Sequence, residues 1–314
     1  MMATLLAKRL LSAIPLLLFL SFFVYVLVDF MPGDAAAGLA GDNATAAEIA
    51  AVQTQMGLDR PLFVRYVEWL GNVLTGDFGT SLYSSQSVSQ ILADRIPTTL
   101  SLTVVTMVIV ILVGVPLGII AAMRANSLLD RALTTVSSVA MAVPPFIIGL
   151  VLVITLAISS PIFPATGYAP LSDGFGLWLQ HLILPALAIA AISTAEVARQ
   201  TRAAMVDTLA KDFIRTTRAK GLRTRTIVTK HALKVAGVPI VTVLGLQISR
   251  IFAGAVTVEF VFALPGLGTL AVNSVFSRDI PVILGIVMVM AVAIVLINLI
   301  VDMAYGYFHP RVRA

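Results

Sequence analysis

The sequence has no cysteine and only three histidines in 314 residues. It therefore offers no disulfide framework and no thiolate metal site. Charge is also scarce: 12% of residues are Asp, Glu, Lys or Arg, 59% are hydrophobic, and mean hydropathy is +0.99. A chain of this composition has too little polar surface to coat a water-soluble globule, so the bilayer is its expected solvent. No G-x-x-x-x-G-K-[ST] loop is present to bind ATP, and no H-E-x-x-H or Cys/His cluster to bind a metal. No Ser/His/Asp arrangement has a recognisable context, and His181, His231 and His309 stand apart, near the ends of apolar segments, as ordinary interfacial residues do. Charge inside the apolar segments is sparse too, whereas an ion-coupled transporter is expected to keep several such groups.

What is present is a set of long apolar runs. A membrane helix needs roughly 20 mainly apolar residues, because the hydrocarbon core is about 30 Å thick and a helix rises about 1.5 Å per residue. Six segments satisfy this, near 9–31, 99–122, 133–158, 182–202, 235–258 and 280–306. In the fourth, Glu196, Arg199 and Arg202 are expected to carry the helix into water. The first reads as an uncleaved anchor, because Leu10 to Val28 is longer than the apolar core of a signal peptide; Lys8, Arg9 and the alanines at 35–37 are what a cleaved signal would use.

Lys and Arg are distributed very unevenly about these spans. Lys8 and Arg9, Arg124 and Arg131, the ten basic residues from Arg199 to Lys234, and Arg311 and Arg313 place 16 on the side of the termini. Arg60, Arg65, Arg95 and Arg278 place 4 on the other side, and Arg250 falls inside a span. The bias predicts cytoplasmic N- and C-termini. The chain then divides into an N-terminal membrane helix (1–31), an acidic extracytoplasmic loop region (32–98), a core of five spans (99–306) that includes a cytoplasmic loop at 203–234, and a tail (307–314). Within the outer region, 46–55 reads as a short helix and 63–74 as an amphipathic one, with Tyr66, Trp69 and Leu70 suited to an interface. GVPLG at 114–118 is a G-x-x-x-G pattern that permits close helix contact.

The densest basic stretch is DFIRTTRAKGLRTRTIVTKHAL, residues 212–233. Asp212 suits a helix N-terminus, and Arg218 and Lys220 suit its last turn. Gly221 can end the helix by taking φ > 0. The pattern predicts about two turns of helix, a stop at Gly221, and a second helix from about Thr224 into the fifth span. Phe213, Ile214 and Thr217 fall on one side of the first helix, with Arg215 and Arg218 towards the other. A basic loop that serves topology and touches anionic lipid explains the charge. A docking peg with Phe213 and Ile214 exposed to a soluble partner explains the helix, its glycine stop and the aromatic residue. A nucleic-acid site does not suit an isolated basic helix between membrane spans. Elsewhere, Arg250 is either a snorkelling residue paired to an acid or, with Gln247, a lining residue of a polar pathway. Glu259 is a pairing candidate for Arg250 or Arg278. Pro265, Gly266 and Gly268 mark either a structural turn or an outer gate.

DFIRTTRAKGL, followed by HAL and Pro239, resembles the cytoplasmic signature of permease subunits of binding-protein-dependent ABC importers, in the dipeptide/oligopeptide branch. PGD (32–34), GLDRPL (57–62) with Tyr66, GDFGTS (76–81), RIPTTL (95–100), GVPLG, VPPF (143–146), GLQ (245–247), VEFVFALPGLG (258–268), RDIPV (278–282) and HPRVR (309–313) resemble the N-terminal member of the permease pair of that branch. Thr217 and His309 stand where the family more often has alanine and aspartate.

The resemblance implies an all-α integral membrane protein with six transmembrane helices, the type I ABC importer permease fold, in a bacterial cytoplasmic membrane. It implies no cofactor in this chain. ATP and Mg are bound by two cytoplasmic ATPase subunits, a second homologous permease completes the pore, and an extracytoplasmic binding protein delivers substrate. Asp212, Phe213, Ile214, Arg215, Arg218, Ala219, Lys220 and Gly221 then form the coupling helix. The implied cargo is dipeptides or oligopeptides; nickel, glutathione and haem are alternatives within the branch, and a non-transporting membrane scaffold is the alternative of another class.

Overall fold

A computed structural model describes residues 2–30, 40, 44–55 and 57–308. The PGD motif at 32–34 and the HPRVR motif at 309–313 lie outside the described residues. Among the described residues, eleven helices organise the fold. In chain order they are α1 (Met2–Asp29), α2 (Ala46–Gln55), α3 (Leu62–Leu74), α4 (Val88–Met123), α5 (Leu128–Ala142), α6 (Pro145–Ser159), α7 (Phe175–Leu209), α8 (Asp212–Ala219), α9 (Thr224–Val261), α10 (Leu267–Ser277) and α11 (Ile280–Phe308). Among the described residues there is no strand, only a bridge between Thr80 and Ser87.

Among the described residues, five helices are long and apolar enough to cross a membrane: α1 over Arg9–Asp29, α4, α7, α9, and α11 over Ile280–Val301. The third expected span, near 133–158, is not straight. The helices α5 and α6 meet at a bend of 99°. The cause is the pair Pro144–Pro145: a residue before proline is pushed out of the helical region, and Val143 and Pro144 are extended, with ψ 122° and 143°. Apolar length alone does not reveal such a break. The fourth span, expected near 182–202, is also longer than its apolar centre, because α7 runs for 35 residues.

The chain separates into two compact units. One comprises Thr98–Gly268 with the chain ends, and its core is formed by α4, α6, α7 and α9. Leu102, Val110, Leu182, Leu184, Val197, Ile251, Val258 and Phe262 are almost completely buried there. The helices α4 and α7 come close together at the glycines of GVPLG. A Cβ on Gly114 would stand 3.1 Å from the Thr194 carbonyl oxygen, and one on Gly118 would stand 2.5 Å from that of Ala198. The absence of side chains there is what lets α4 lie against α7.

The second unit comprises Thr4–Pro97 and Thr269–Val295. Tyr66 of α3 is buried; its hydroxyl shares a 2.8 Å hydrogen bond with Ser21 and donates to the Leu18 carbonyl of α1. Phe22 and Tyr25 pack edge-on against its ring. The helix α2 begins with a reciprocal cap, in which the Glu48 carboxylate accepts from the Thr45 N–H at 2.7 Å and Thr45 Oγ1 accepts from the Glu48 N–H. These backbone and hydroxyl donors hold the Glu48 carboxyl below its usual pKa. Asp279, which precedes α11, is buried and accepts from Ser81 Oγ at 2.5 Å and from the Leu82 N–H at 3.2 Å. GDFGTS and RDIPV are thereby tied together within this unit.

Candidate functional site: the α8 helix and the charged groups of the spans

The basic stretch folds largely as its sequence predicts. The helix α8 spans Asp212–Ala219, Gly221 stops it with φ +78°, and α9 starts at Thr224. The Gly221 N–H donates to the Arg218 carbonyl at 2.9 Å, and that of Lys220 to Thr216 at 3.1 Å, which satisfies two end carbonyls. Lys211 rather than Asp212 is the capping residue, and it makes no side-chain cap. Asp212 instead occupies the first helical position, where its charge favours the helix dipole. It also meets Arg215 at 3.3 Å, but both side chains are solvated, so that pair adds little stability.

The expected peg requires one correction. Ile214 is not exposed; it is completely buried, in one apolar cluster with Met205, Ile227, Val228, Ala232, Ala236 and Ile240. It anchors α8 to the ends of the two spans that flank it. Helical geometry accounts for this, because a helix this short needs one apolar residue driven into its support to hold a fixed orientation. Phe213 remains 38% exposed, and Arg215, Arg218, Lys220, Arg223, Arg225 and Lys230 all face solvent. The result is a cationic surface with one aromatic residue on a firmly rooted helix. Behind it lies a cavity of about 220 Å³ bounded by Met123, Val206, Leu209, Arg218 and Ile227.

Two ion pairs within the first unit join helices distant in sequence. Asp130, 3% exposed at its side chain, sits in the first turn of α5 and accepts two hydrogen bonds from the Arg202 guanidinium of α7, one of them 2.6 Å long. It also accepts from the Asn126 N–H at 2.8 Å. Composition and periodicity do not single Asp130 out; its one sequence signal is an acid opening an otherwise apolar run. The second pair is Arg250 of α9 donating through Nη1 to Glu196 Oε2 of α7. Arg250 is thus paired to an acid, and its side chain is nonetheless 60% exposed.

The other two pathway candidates are buried. Gln247 is 1% exposed and its Nε2 has no hydrogen-bond partner among the described residues; Glu259 is 0% exposed. The Glu259 carboxylate accepts from Thr99 Oγ1 at 2.6 Å and from the Gly268 N–H at 2.7 Å. Thr99 in turn accepts from the Leu267 N–H at 2.8 Å. A side chain at Gly266 would overlap the Glu259 carboxylate, and one at Gly268 would collide with Val256. Those glycines therefore wrap the turn around a buried acid. Among the described residues no group of His, Cys, Asp and Glu is placed to hold a metal ion.

Comparison with known proteins identifies the family. The chain is 40% identical over 306 residues to a probable peptide ABC transporter permease, y4tP, of Sinorhizobium fredii, covering 98% of each chain. It is 37% identical over 315 residues to the oligopeptide transport system permease AppB of Bacillus subtilis, covering 99% of this chain and all of that one. It is 40% identical over 306 residues to the glutathione transport system permease GsiC of Salmonella choleraesuis, covering 98% and 97%. Its fold is similar to that in an inward-facing structure of the MetNI methionine ABC transporter, with a TM-score of 0.59 and 16% identity over 70% of this chain and 97% of that one. Residues 2–103 match the N-terminal membrane component of binding-protein-dependent transport systems, and residues 114–314 match the main one. The chain belongs to the family of binding-protein-dependent transport system inner membrane components, multi-pass transport subunits of ABC importers.

Proposed function

We propose that the chain is one half of the translocation pore of an ATP-driven peptide importer, and that residues 212–222 receive the motion of its ATPase subunits. The observation that carries this reading is α8 itself. It is a short cationic helix with an exposed Phe213, pinned by Ile214 and tied by backbone bonds at its end, lying between two spanning helices. A force on it is passed to α7 and α9 together. In this reading the termini and α8 are cytoplasmic, two ATPase subunits holding ATP and Mg dock there, and a homologous but non-identical permease completes the pore. A binding protein delivers substrate from outside. ATP-driven closure of the ATPases biases a two-state membrane domain, and the loaded binding protein biases it further. Of the pathway candidates, Arg250 is the lining residue in this conformation. The turn at Pro265, Gly266 and Gly268, held by Glu259, is the fixed base of the outer gate.

Relatives named for oligopeptide and for glutathione transport stand at similar identity, so cargo is the quantity to measure. The complex, purified with the partner chains encoded beside it and reconstituted in liposomes, is expected to hydrolyse ATP faster with peptide-loaded than with empty binding protein, and to accumulate the peptide. Stimulation by glutathione and not by dipeptides or oligopeptides would move the assignment to glutathione. No nucleotide-dependent accumulation of any ligand would contradict the transport reading.

A further inference from the structure

Glu196 and Arg250 form an ion pair in an unusual setting. Both lie on helices long and apolar enough to span the membrane, Glu196 directly after the apolar part of α7 and Arg250 within that of α9. Charged groups on such helices turn towards water or another protein chain, because hydrocarbon does not solvate them. The exposed face of α9 on which Arg250 sits carries Leu246, Ala253, Thr257 and Phe260 at helical spacing and no other charge. The adjoining stripe of α7 runs from Glu196 through Gln200 and Ala203 to Asp207, polar and open towards the end of the helix that leads to α8.

The pair is also incompletely used. A guanidinium has five N–H donors, and a carboxylate has two acceptor oxygens. Arg250 spends one donor, Nη1, on one oxygen of Glu196, Oε2, and the remaining donors and Oε1 have no partner among the described residues. A buried structural pair such as Asp130–Arg202 instead uses both carboxylate oxygens. Arg250 is exposed and Glu196 partly so, and a singly bonded pair of this kind keeps a forked donor and a neighbouring carboxylate oxygen for a ligand of opposite polarity.

We infer that Glu196 and Arg250 form a contact site for a ligand carrying both a carboxylate and an ammonium group, the two ends of a short peptide. The carboxylate docks on Arg250 and the ammonium on Glu196. The inference deepens the peptide-import reading above and rests on it. When the site is empty the two residues neutralise each other; when a peptide passes, its ends substitute for that contact and its charges stay compensated inside the span.

The test uses the reconstituted complex with saturating binding protein, loaded in parallel with a peptide bearing free ends, its C-terminal amide, or its N-acetyl form. Affinity of the binding protein for each is measured separately, so that selection there is not mistaken for selection in the pore. The wild-type complex is expected to import the free-ended peptide fastest. Arg250→Gln is expected to cut that rate roughly tenfold, the scale of one lost charge-assisted contact, and to erase the advantage of the free acid over the amide. Glu196→Gln erases the advantage over the N-acetyl form. Arg250→Lys, which keeps a cation, retains the preference for the free acid and guards against a variant that fails to assemble. If the charge-swapped double variant Glu196→Arg with Arg250→Glu regains wild-type uptake with unchanged preferences, the pair is structural and the inference is overturned. Loss of the second permease from purified Arg250→Gln complexes also overturns it, since Arg250 then belongs to a subunit contact. If the variants import all three peptides in wild-type ratios, the peptide-import reading stands and the site falls. If the wild-type complex imports no peptide, both fall.

Discussion

Changing Gly221 to proline is expected to abolish ATP-driven uptake while the complex still inserts and co-purifies. Gly221 has φ +78°, and proline is fixed near −65°, so the chain cannot turn there as it does now. Proline also removes the N–H that donates to the Arg218 carbonyl at 2.9 Å. The effect is one of direction rather than space, because nothing lies within 4 Å of where a side chain would begin. Alanine separates the two: a left-handed residue with a Cβ costs about 1–2 kcal/mol, which tilts α8 without releasing it. A graded series is therefore expected, with Gly221→Ala reducing uptake and Gly221→Pro eliminating both uptake and its stimulation of ATP hydrolysis. Uptake by the proline variant at the wild-type rate would remove α8 from the coupling route.

Replacing Gly118 by valine is expected to have the largest effect on stability. The new Cβ would stand 2.5 Å from the Ala198 carbonyl oxygen and 2.6 Å from Thr201 Cβ, and both belong to α7. One is backbone and the other is the root of a side chain, so neither can swing away. The helices must separate, and overpacking of this kind typically costs about 1–3 kcal/mol, occasionally more. Valine adds the further crowding of a branched side chain. A clear drop in the thermal midpoint of the purified chain in detergent is expected. Gly176→Ala, at a helical glycine with nothing within 4 Å, is the control expected to melt as wild type. Equal melting of the Gly118 variant would contradict the close contact of α4 with α7.

These two glycines differ in how far the sequence reveals them. Gly221 was legible because its setting is local: an acid, two turns of helix formers, late cations and then a glycine. The role of Gly118 is visible as a G-x-x-x-G pattern, but its partner on α7 is not, since nothing in a single sequence pairs residue 118 with residues 198 and 201. The same limit applies to Glu259. Its acidic side chain at a span end suggests a cationic partner, yet it is held by the hydroxyl of Thr99, 160 residues earlier, and by a backbone N–H. Such contacts depend on tertiary packing, as does the complete burial of Ile214 on a helix whose other side chains are mostly polar. The bend between α5 and α6 was written locally in Val143–Pro144–Pro145, but apolar length masks it. The six apolar stretches themselves were plain, because a membrane demands length and composition before it demands any particular contact.

The absence of cysteine from the chain makes the contact of α8 directly measurable. Phe213→Cys or Arg215→Cys introduces one thiol into the exposed face of the helix, and a thiol-directed photo-crosslinker attached there reports its neighbour in the assembled complex. A coupling helix predicts a covalent adduct to an ATPase subunit from either position, with a yield that changes when ATP is bound, and none from Ser84→Cys in the loop before α4. An adduct confined to lipid, or no ATPase adduct at any nucleotide state from an assembled and transporting complex, would contradict the assignment of residues 212–222 as the point where ATP drives this chain.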